Sequence, residues 1–360
     1  MTPPPPPNHS AADGPYVSTA NAAQVAARLR AASTAIILTH GKPDGDALGS
    51  TLAIVRALRA RGATAEAWYV GPWPAWLETV ANDTVPSFRK LSVDHAAPPP
   101  MDREPDAVII CDTGSWSQLD GVKSWLEPRT HRAVLIDHHL NGDASTAPMR
   151  LIETHAASAT EVASTVIDEF LNLKGGPFPQ HIAEALFLGL ATDTGWFRFS
   201  NVTPRTLTLA ARLLASGVDH TALYEMTEQQ SSLGRIKLLA RALSSMKLHN
   251  NNSVAVLTLT RQDFQDAGAS EEDTGGFGDQ PMTIVGMRVV VVLTEMTRPG
   301  DPHPMTKASL RSKPGEGAVD VAAACATLGG GGHARAAGVK LRMPLSEARA
   351  AILKALGVKP

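Results

Sequence analysis

Short apolar runs alternate with helically spaced apolar positions through residues 23–210. NAAQVAARLRAA (21–32) predicts a helix, and AIILTH (35–40) a buried strand that ends at His40. Leu48, Leu52, Val55 and Leu58 then recur at helical spacing, with Gly62 placed to stop that helix. ATAEAWYV (63–70), AVIIC (107–111) and AVLID (133–137) predict further strands, separated by segments long enough for crossovers. Strands alternating with helices predict a doubly wound parallel sheet covered on both faces. Ligands of such sheets lie beyond the carboxyl ends of the strands, where His40, Asp112 and the run Asp137 to His139 all stand.

The pattern then changes. SATEVASTVIDEFLNL (158–173) predicts a helix opened by an S-x-x-E capping box of Ser158 and Glu161. Ile182, Ala185, Leu186, Gly189 and Leu190 predict another, so that Asp193 falls where a helix runs out. Residues 211–247 read as a helical connector. SVAVLTL (253–259), MRVVVVLTEM (287–296) and KASLRS (307–312) predict strands of a second, smaller α/β domain over 248–360, closed by the helix PLSEARAAILKAL. Segments 98–106 and 267–281 carry Pro, Gly and acidic residues and read as exposed loops. Residues 1–22 open with a proline run and read as a disordered tail outside the fold.

Composition narrows the function classes. The chain has 360 residues, enough for two domains, and 33 basic against 35 acidic side chains. A protein gripping long nucleic acid needs a basic excess, so this balance favours a small partner and argues against long duplexes. The 2 cysteines support neither a disulfide framework nor a thiolate zinc site, which fits a reducing cytoplasm. No run approaches the roughly 18 apolar residues of a membrane span.

Four acid and histidine clusters stand at the ends of these elements: THGKPDGDALGS (39–50), IICDTG (109–114), LIDHH (135–139) and LATDTGWFRFSN (190–201). They supply His40, Asp44, Asp46, Asp112, His138 and Asp193, a mixture of imidazole and carboxylate suited to two divalent cations such as Mn²⁺ or Mg²⁺. Two such cations are a recurrent device for hydrolysing phosphate esters. Asp44 can join His40 on one cation while Asp46 reaches a second; the competing reading makes Asp46 a helix cap. Asp112 directly follows an apolar run, and its two oxygens can bridge two cations; the competing reading is an Asx turn. At Asp137–His138–His139, one imidazole can ligate while the other faces phosphate and Asp137 orients a ring. The glycines of GGGGHARAAG (329–338) are too flexible for the interior of a helix or strand, and their bare N–H groups can approach a phosphate or a base edge. Arg311 offers a fork that matches phosphate oxygens.

THGKPDGDALGS, DTG, IDHH, TDTGWFRFSN, SLRS and GGGGHARAAG, in this order over about residues 23–345, resemble the DHH phosphoesterase superfamily. With its GGGGH domain the chain is similar to the DHHA1-containing subfamily, and within it to nanoRNases that double as 3′-phosphoadenosine 5′-phosphate phosphatases. The resemblance implies a doubly wound DHH catalytic domain over 23–210 and a DHHA1 substrate-binding domain over 248–360, with the active site in the cleft between them. It implies two divalent ions, Mn²⁺ ahead of Mg²⁺ or Co²⁺, one held by His40, Asp44 and Asp112, the other by Asp46, Asp112, His138 and Asp193. Asp112 would bridge them, and His139 would contact the scissile phosphate. Arg311, Ser312, Gly330, Gly331, Gly332 and His333 would hold the nucleotide. The expected activity is hydrolysis of short oligoribonucleotides or 3′-phosphoadenosine 5′-phosphate in the cytoplasm, by a chain that could pair as a homodimer. Linear dinucleotides and cyclic di-AMP stay open as substrates. Rival readings are a manganese pyrophosphatase, a RecJ-type single-strand DNA exonuclease and a nucleotide-binding sensor without turnover.

Overall fold

The computed structural model describes residues 14–81, 88–91, 104–298, 301–315 and 317–358. It divides into two compact units, residues 1–229 and 230–360. Among the described residues no helix is long and apolar enough to cross a membrane.

The first unit opens with α1 (Ala22–Arg30), β1 (Thr34–Leu38), α2 (Gly45–Ala60) and β2 (Thr64–Val70). A short α3 (Leu77–Val80), β3 (Phe88–Leu91), β4 (Ala107–Cys111) and a short α4 (Lys123–Leu126) follow. Then come β5 (Ala133–Asp137), β6 (Met149–Ile152), α5 (Ala159–Leu171), α6 (Gln180–Asp193), α7 (Pro204–Ala215) and α8 (His220–Glu228). Six strands form one sheet in the order β3-β2-β1-β4-β5-β6, every pair parallel. The order reverses between β1 and β4, which pair from Ala35 with Ala107 to Leu38 with Ile110. That is the switch point at which such sheets bind ligands.

The unbroken apolar runs are explained by burial on both faces. Ile37, Ile109 and Ile136 face a core filled from α1, α2, α5 and α6. Ile36, Leu38, Ile110 and Leu135 face the other way, onto Leu119, Trp125 and Leu126. Each such side chain contributes about 1.5–3 kcal/mol by leaving water. β3 and β6 were not expected: FRKL and MRLI carry charges inside short segments, as edge strands do.

The second unit contains α9 (Leu233–Ser244), β7 (Lys247–His249), β8 (Val254–Leu259), α10 (Arg261–Ala267), β9 (Val289–Arg298) and β10 (Asp301–Ser312). It continues through α11 (Val321–Ala326), β11 (Gly331–His333), β12 (Ala336–Leu341) and α12 (Leu345–Ala355). Its sheet runs β11-β12-β10-β9-β8-β7, with only β8 and β9 parallel among the described pairs. Val291, Leu293, Ala308 and Leu310 pack beneath α11 and α12. Val290 and Val292 pack with Leu238 of α9 and with Phe277.

Several expectations change. The helices of 211–247 do not stand apart: Leu213 and Leu223 enter the first unit's core, and Leu238 and Ala242 the second's. Segment 267–281 is not simply an exposed loop, because Phe277 is buried under the sheet. Most of segment 98–106, and residues 1–13 of the expected tail, lie outside the described residues. Residues 14–21 belong to the fold, with the Thr19 and Ala20 amides donating to the Arg150 carbonyl of β6 at 2.8 and 3.0 Å. The glycine run also differs: Gly331–His333 is an edge strand paired with Ala336–Gly338. A Cβ on Gly330 would sit 2.4 Å from the Gly338 carbonyl, and one on Gly332 2.5 Å from that of Ala336. Close pairing of two backbones is therefore one reason for glycine there.

Candidate active site

The site is assembled at the switch point of the first sheet. Two residues beyond the end of β1 stands His40, whose Nδ1 lies 3.0 Å from the Gly41 carbonyl. With Nδ1–H donating there, Nε2 faces the site as an acceptor. Asp44 caps α2, accepting from the amides of Asp46 and Ala47 at 3.1 Å each. The cap is thus Asp44 rather than Asp46. Asp46 is buried and turned toward the start of α5, where Ala159 N, Thr160 N and Thr160 Oγ1 donate to it at 2.6, 2.9 and 2.7 Å.

Asp112, immediately after β4, has a left-handed φ of 62°, a conformation that costs a non-glycine residue on the order of 1 kcal/mol. Its amide still donates to the Ile136 carbonyl at 3.1 Å, so the sheet holds the backbone while the carboxylate turns into the site. Only 3 % of the residue is exposed. At the end of β5, Asp137 Oδ1 accepts from His138 N at 2.8 Å and lies 2.8 Å from His139 Nδ1. The His138 ring sets its Nδ1 3.4 Å from the Ala156 carbonyl and aims Nε2 inward. Ser158 caps α5 by accepting from Glu161 N, but Glu161 reaches back to Ala157 N at 3.1 Å and not to Ser158, so only half of the expected capping box forms.

Asp193 arrives at the C-terminal end of α6 because α6 crosses α2 at glycines. A Cβ on Gly49 would stand 2.5 Å from the Ala185 carbonyl, and one on Gly45 2.2 Å from Thr192 Oγ1. The close approach that these glycines permit is to another helix.

Six expected ligands thus converge. Asp112 Oδ2 lies 3.4 Å from His40 Nε2, while its Oδ1 lies 3.5 Å from His138 Nε2. His40 is 3.9 Å from Asp44, and His138 is 3.9 Å from Asp46 and 4.0 Å from Asp193. Donor atoms of His40, Asp44 and Asp112, and separately of Asp46, His138 and Asp193, lie within 4.8 Å of one another. Most of these separations are long for hydrogen bonds but suit donors that share a small cation.

The electrostatics point the same way. Burial and the Asp112 and Asp193 charges push the Asp46 carboxyl well up. Burial above all lifts Asp193 to about 6. For His40 and His138 burial opposes the charged ring, but Asp112 and neighbouring acceptors outweigh it and raise them to about 9 and about 10. Asp112 goes down despite its burial, held by those two imidazoles. Four carboxylates crowd together beside two imidazoles, a donor set that fits divalent cations.

A cavity of about 290 Å³ opens over these groups, lined also by Thr113, Gln118, His139 and Asn141. The sequence marked His139 but not the other three, whose residue types carry no ligand signature. Tyr16 carries no signal in the sequence either: its hydroxyl donates to Asp137 Oδ2, yet it lies within residues 1–22, which read as a disordered tail.

The remaining predicted residues belong to the second unit. Arg311 is exposed on β10 and lines a cavity of about 290 Å³ with Lys307, Ser309, Thr294 and residues 274–279. Ser312 is buried, its hydroxyl donating to the Val319 carbonyl at 2.7 Å. Gly331, Gly332 and His333 are exposed on the edge strand, and Gly330 is partly covered.

Fold and site together are those of a metal-dependent phosphoesterase. The DHH family N-terminal domain matches residues 34–190. Over 326 residues, 89% of this chain and 88% of the relative, the sequence is 32% identical to the bifunctional oligoribonuclease and PAP phosphatase NrnA of Thermus thermophilus. It is 25% identical to the NrnA of Bacillus subtilis over 73% of this chain and 78% of that one. The chain belongs to the DHH family. In fold it is similar to an exopolyphosphatase-related protein from Bacteroides fragilis, with a TM-score of 0.80 over 95% of this chain and 97% of that one at 22% identity.

Proposed function

We propose that this chain is a cytoplasmic enzyme that hydrolyses short oligoribonucleotides and 3′-phosphoadenosine 5′-phosphate to mononucleotides. The observation that carries the reading is Asp112, a buried carboxylate with one oxygen toward His40 and the other toward His138. In this reading His40, Asp44 and Asp112 would hold one Mn²⁺, and Asp46, Asp112, His138 and Asp193 would hold a second. When bound, such a pair supplies activation of water and screening of charge at phosphorus.

The chain's own groups do the rest. The Gly41 and Ala156 carbonyls hold the two imidazoles with Nε2 toward the cations. Asp137 holds Nδ1–H of His139, so the opposite ring nitrogen presents to a non-bridging phosphate oxygen. As the water oxygen bonds to phosphorus, the bond to the ribose oxygen breaks; the water gives up one proton and the ribose oxygen takes one, so the proton count is unchanged. Arg311, Gly330 to Gly332 and His333 are the proposed contacts to the nucleotide, while Ser312 fixes β10 through Val319. The NrnA names of the relatives and the near-neutral charge of the chain support a short substrate.

Asp112→Asn tests the reading. The amide loses the charge and one acceptor, so hydrolysis should fall by on the order of 10³-fold, as for other groups that act on charge in the transition state. Titration calorimetry should show fewer Mn²⁺ bound per chain. Hydrolysis at the wild-type rate, or an unchanged Mn²⁺ stoichiometry, would remove Asp112 from its bridging role.

A further inference from the structure

Residues 14–21 run along the edge strand β6, and this segment carries an aromatic side chain into the candidate site. Ser18 Oγ donates to the Ile152 carbonyl and accepts from the Ile152 amide, each at 2.8 Å. Thr19 does the same one pair earlier, its hydroxyl donating to the Pro148 carbonyl and accepting from Arg150 N, again at 2.8 Å. These bonds fix where the preceding residues go. Tyr16 is half-buried, and its hydroxyl donates to Asp137 Oδ2. Its ring lies against two bare positions: a Cβ on Gly114 would sit 2.2 Å from the Tyr16 hydroxyl oxygen, and one on Gly142 2.5 Å from the ring edge. Gly114 itself lines the cavity that holds His139 and Asp112.

Asp137 is wholly buried. Oδ1 is committed to the amides of His138 and His139 and to His139 Nδ1, leaving Oδ2 for Tyr16. Without the Tyr16 donor, a buried carboxylate oxygen would lack this partner, and the carboxylate could rotate to satisfy it at the expense of the His139 contact.

We infer that Tyr16 is a positioning residue: it fixes the Asp137 carboxylate, and through it the orientation of the His139 ring toward the substrate phosphate. The inference rests on the role proposed above for His139. The hydrogen bond of Tyr16 to Asp137 is the route by which it reaches His139.

The test is Tyr16→Phe, which keeps the ring over Gly114 and Gly142 and removes only the donor. With 3′-phosphoadenosine 5′-phosphate as substrate and Mn²⁺ present, kcat should fall about tenfold with KM within about twofold, the scale of losing an orienting partner. In a His139→Ala background the same substitution should change kcat little, because the group it positions is gone. An equal loss in both backgrounds would make Tyr16 a merely structural residue and overturn the inference, as would a Phe variant as active as the wild type. Nitrogen NMR of ¹⁵N-histidine in the Mg²⁺-loaded full chain provides a readout independent of turnover. The wild type should show His139 with its proton on Nδ1, and Tyr16→Phe should shift that population; identical His139 signals would overturn the inference. If the wild type hydrolyses none of these substrates, the functional reading fails while the NMR comparison still decides the positioning role.

Discussion

At the residue scale the site is a balance between burial and charge. Asp112 keeps its charge only because His40 and His138 flank it. Those rings in turn are raised to about 9 and about 10, against burial that favours the neutral forms. In the unfolded chain an imidazole titrates near about 6.5. A group whose folded value is raised gives its full stabilisation below the unfolded value and loses it as pH climbs through the folded one. The metal-free protein should therefore lose stability from about pH 6.5 upward, through about 9 and 10. Asp193, raised to about 6, adds the same sign lower down, between the ordinary carboxylate range and that value. Cation binding must displace these protons, so affinity should grow with pH over the same window. The rise in Tm produced by Mg²⁺ should be larger at pH 9 than at pH 6. An equal or smaller rise at pH 9 would show that these imidazoles do not meet the cation.

At the level of elements, what could be read in advance was governed by how local the cause is. His40, Asp112 and Asp137–His139 were legible because each ends an apolar run, and the run itself gives the strand. β3 and β6 were not, since FRKL and MRLI owe their strand state to a neighbouring strand and not to their own pattern. Gly331–His333 offers no side-chain alternation at all, so only pairing with β12 reveals it. Tyr16 meets Asp137 across 121 positions, beyond any spacing rule. Gly49 likewise owes its smallness to the backbone of α6, which is distant in sequence. Its prediction has a sign that discriminates. On helix propensity alone Gly49→Ala would stabilise α2 by about 1 kcal/mol. The Ala185 carbonyl and Gly189 amide at 2.5 and 2.8 Å from the new Cβ are backbone and cannot swing away. Overpacking of about 1–3 kcal/mol should win. Urea unfolding should show a net loss, whereas a gain would mean that the two helices are not in that contact.

On the scale of the whole molecule, each unit has its own sheet and its own cores. All six proposed ligands and the proposed phosphate contact His139 lie in the first unit, and the other proposed nucleotide contacts lie in the second. The division between residues 229 and 230 was not legible, because 211–247 reads as one helical connector. Helices α7 and α8 look alike in polarity to α9, and only the core that each enters separates them. The short substrate proposed from the relatives makes the dependence of rate on RNA length the most direct consequence. The decisive measurement is the initial rate with Mn²⁺ on RNA of about two to twenty-four nucleotides, set beside 3′-phosphoadenosine 5′-phosphate, cyclic di-AMP, long single-stranded DNA and pyrophosphate, with each tenfold difference in rate worth about 1.4 kcal/mol in the barrier. The shortest RNAs and 3′-phosphoadenosine 5′-phosphate should be cleaved fast, with rates falling steeply as RNA lengthens. Rates independent of length, or a preference for pyrophosphate or long DNA, would contradict the proposed function.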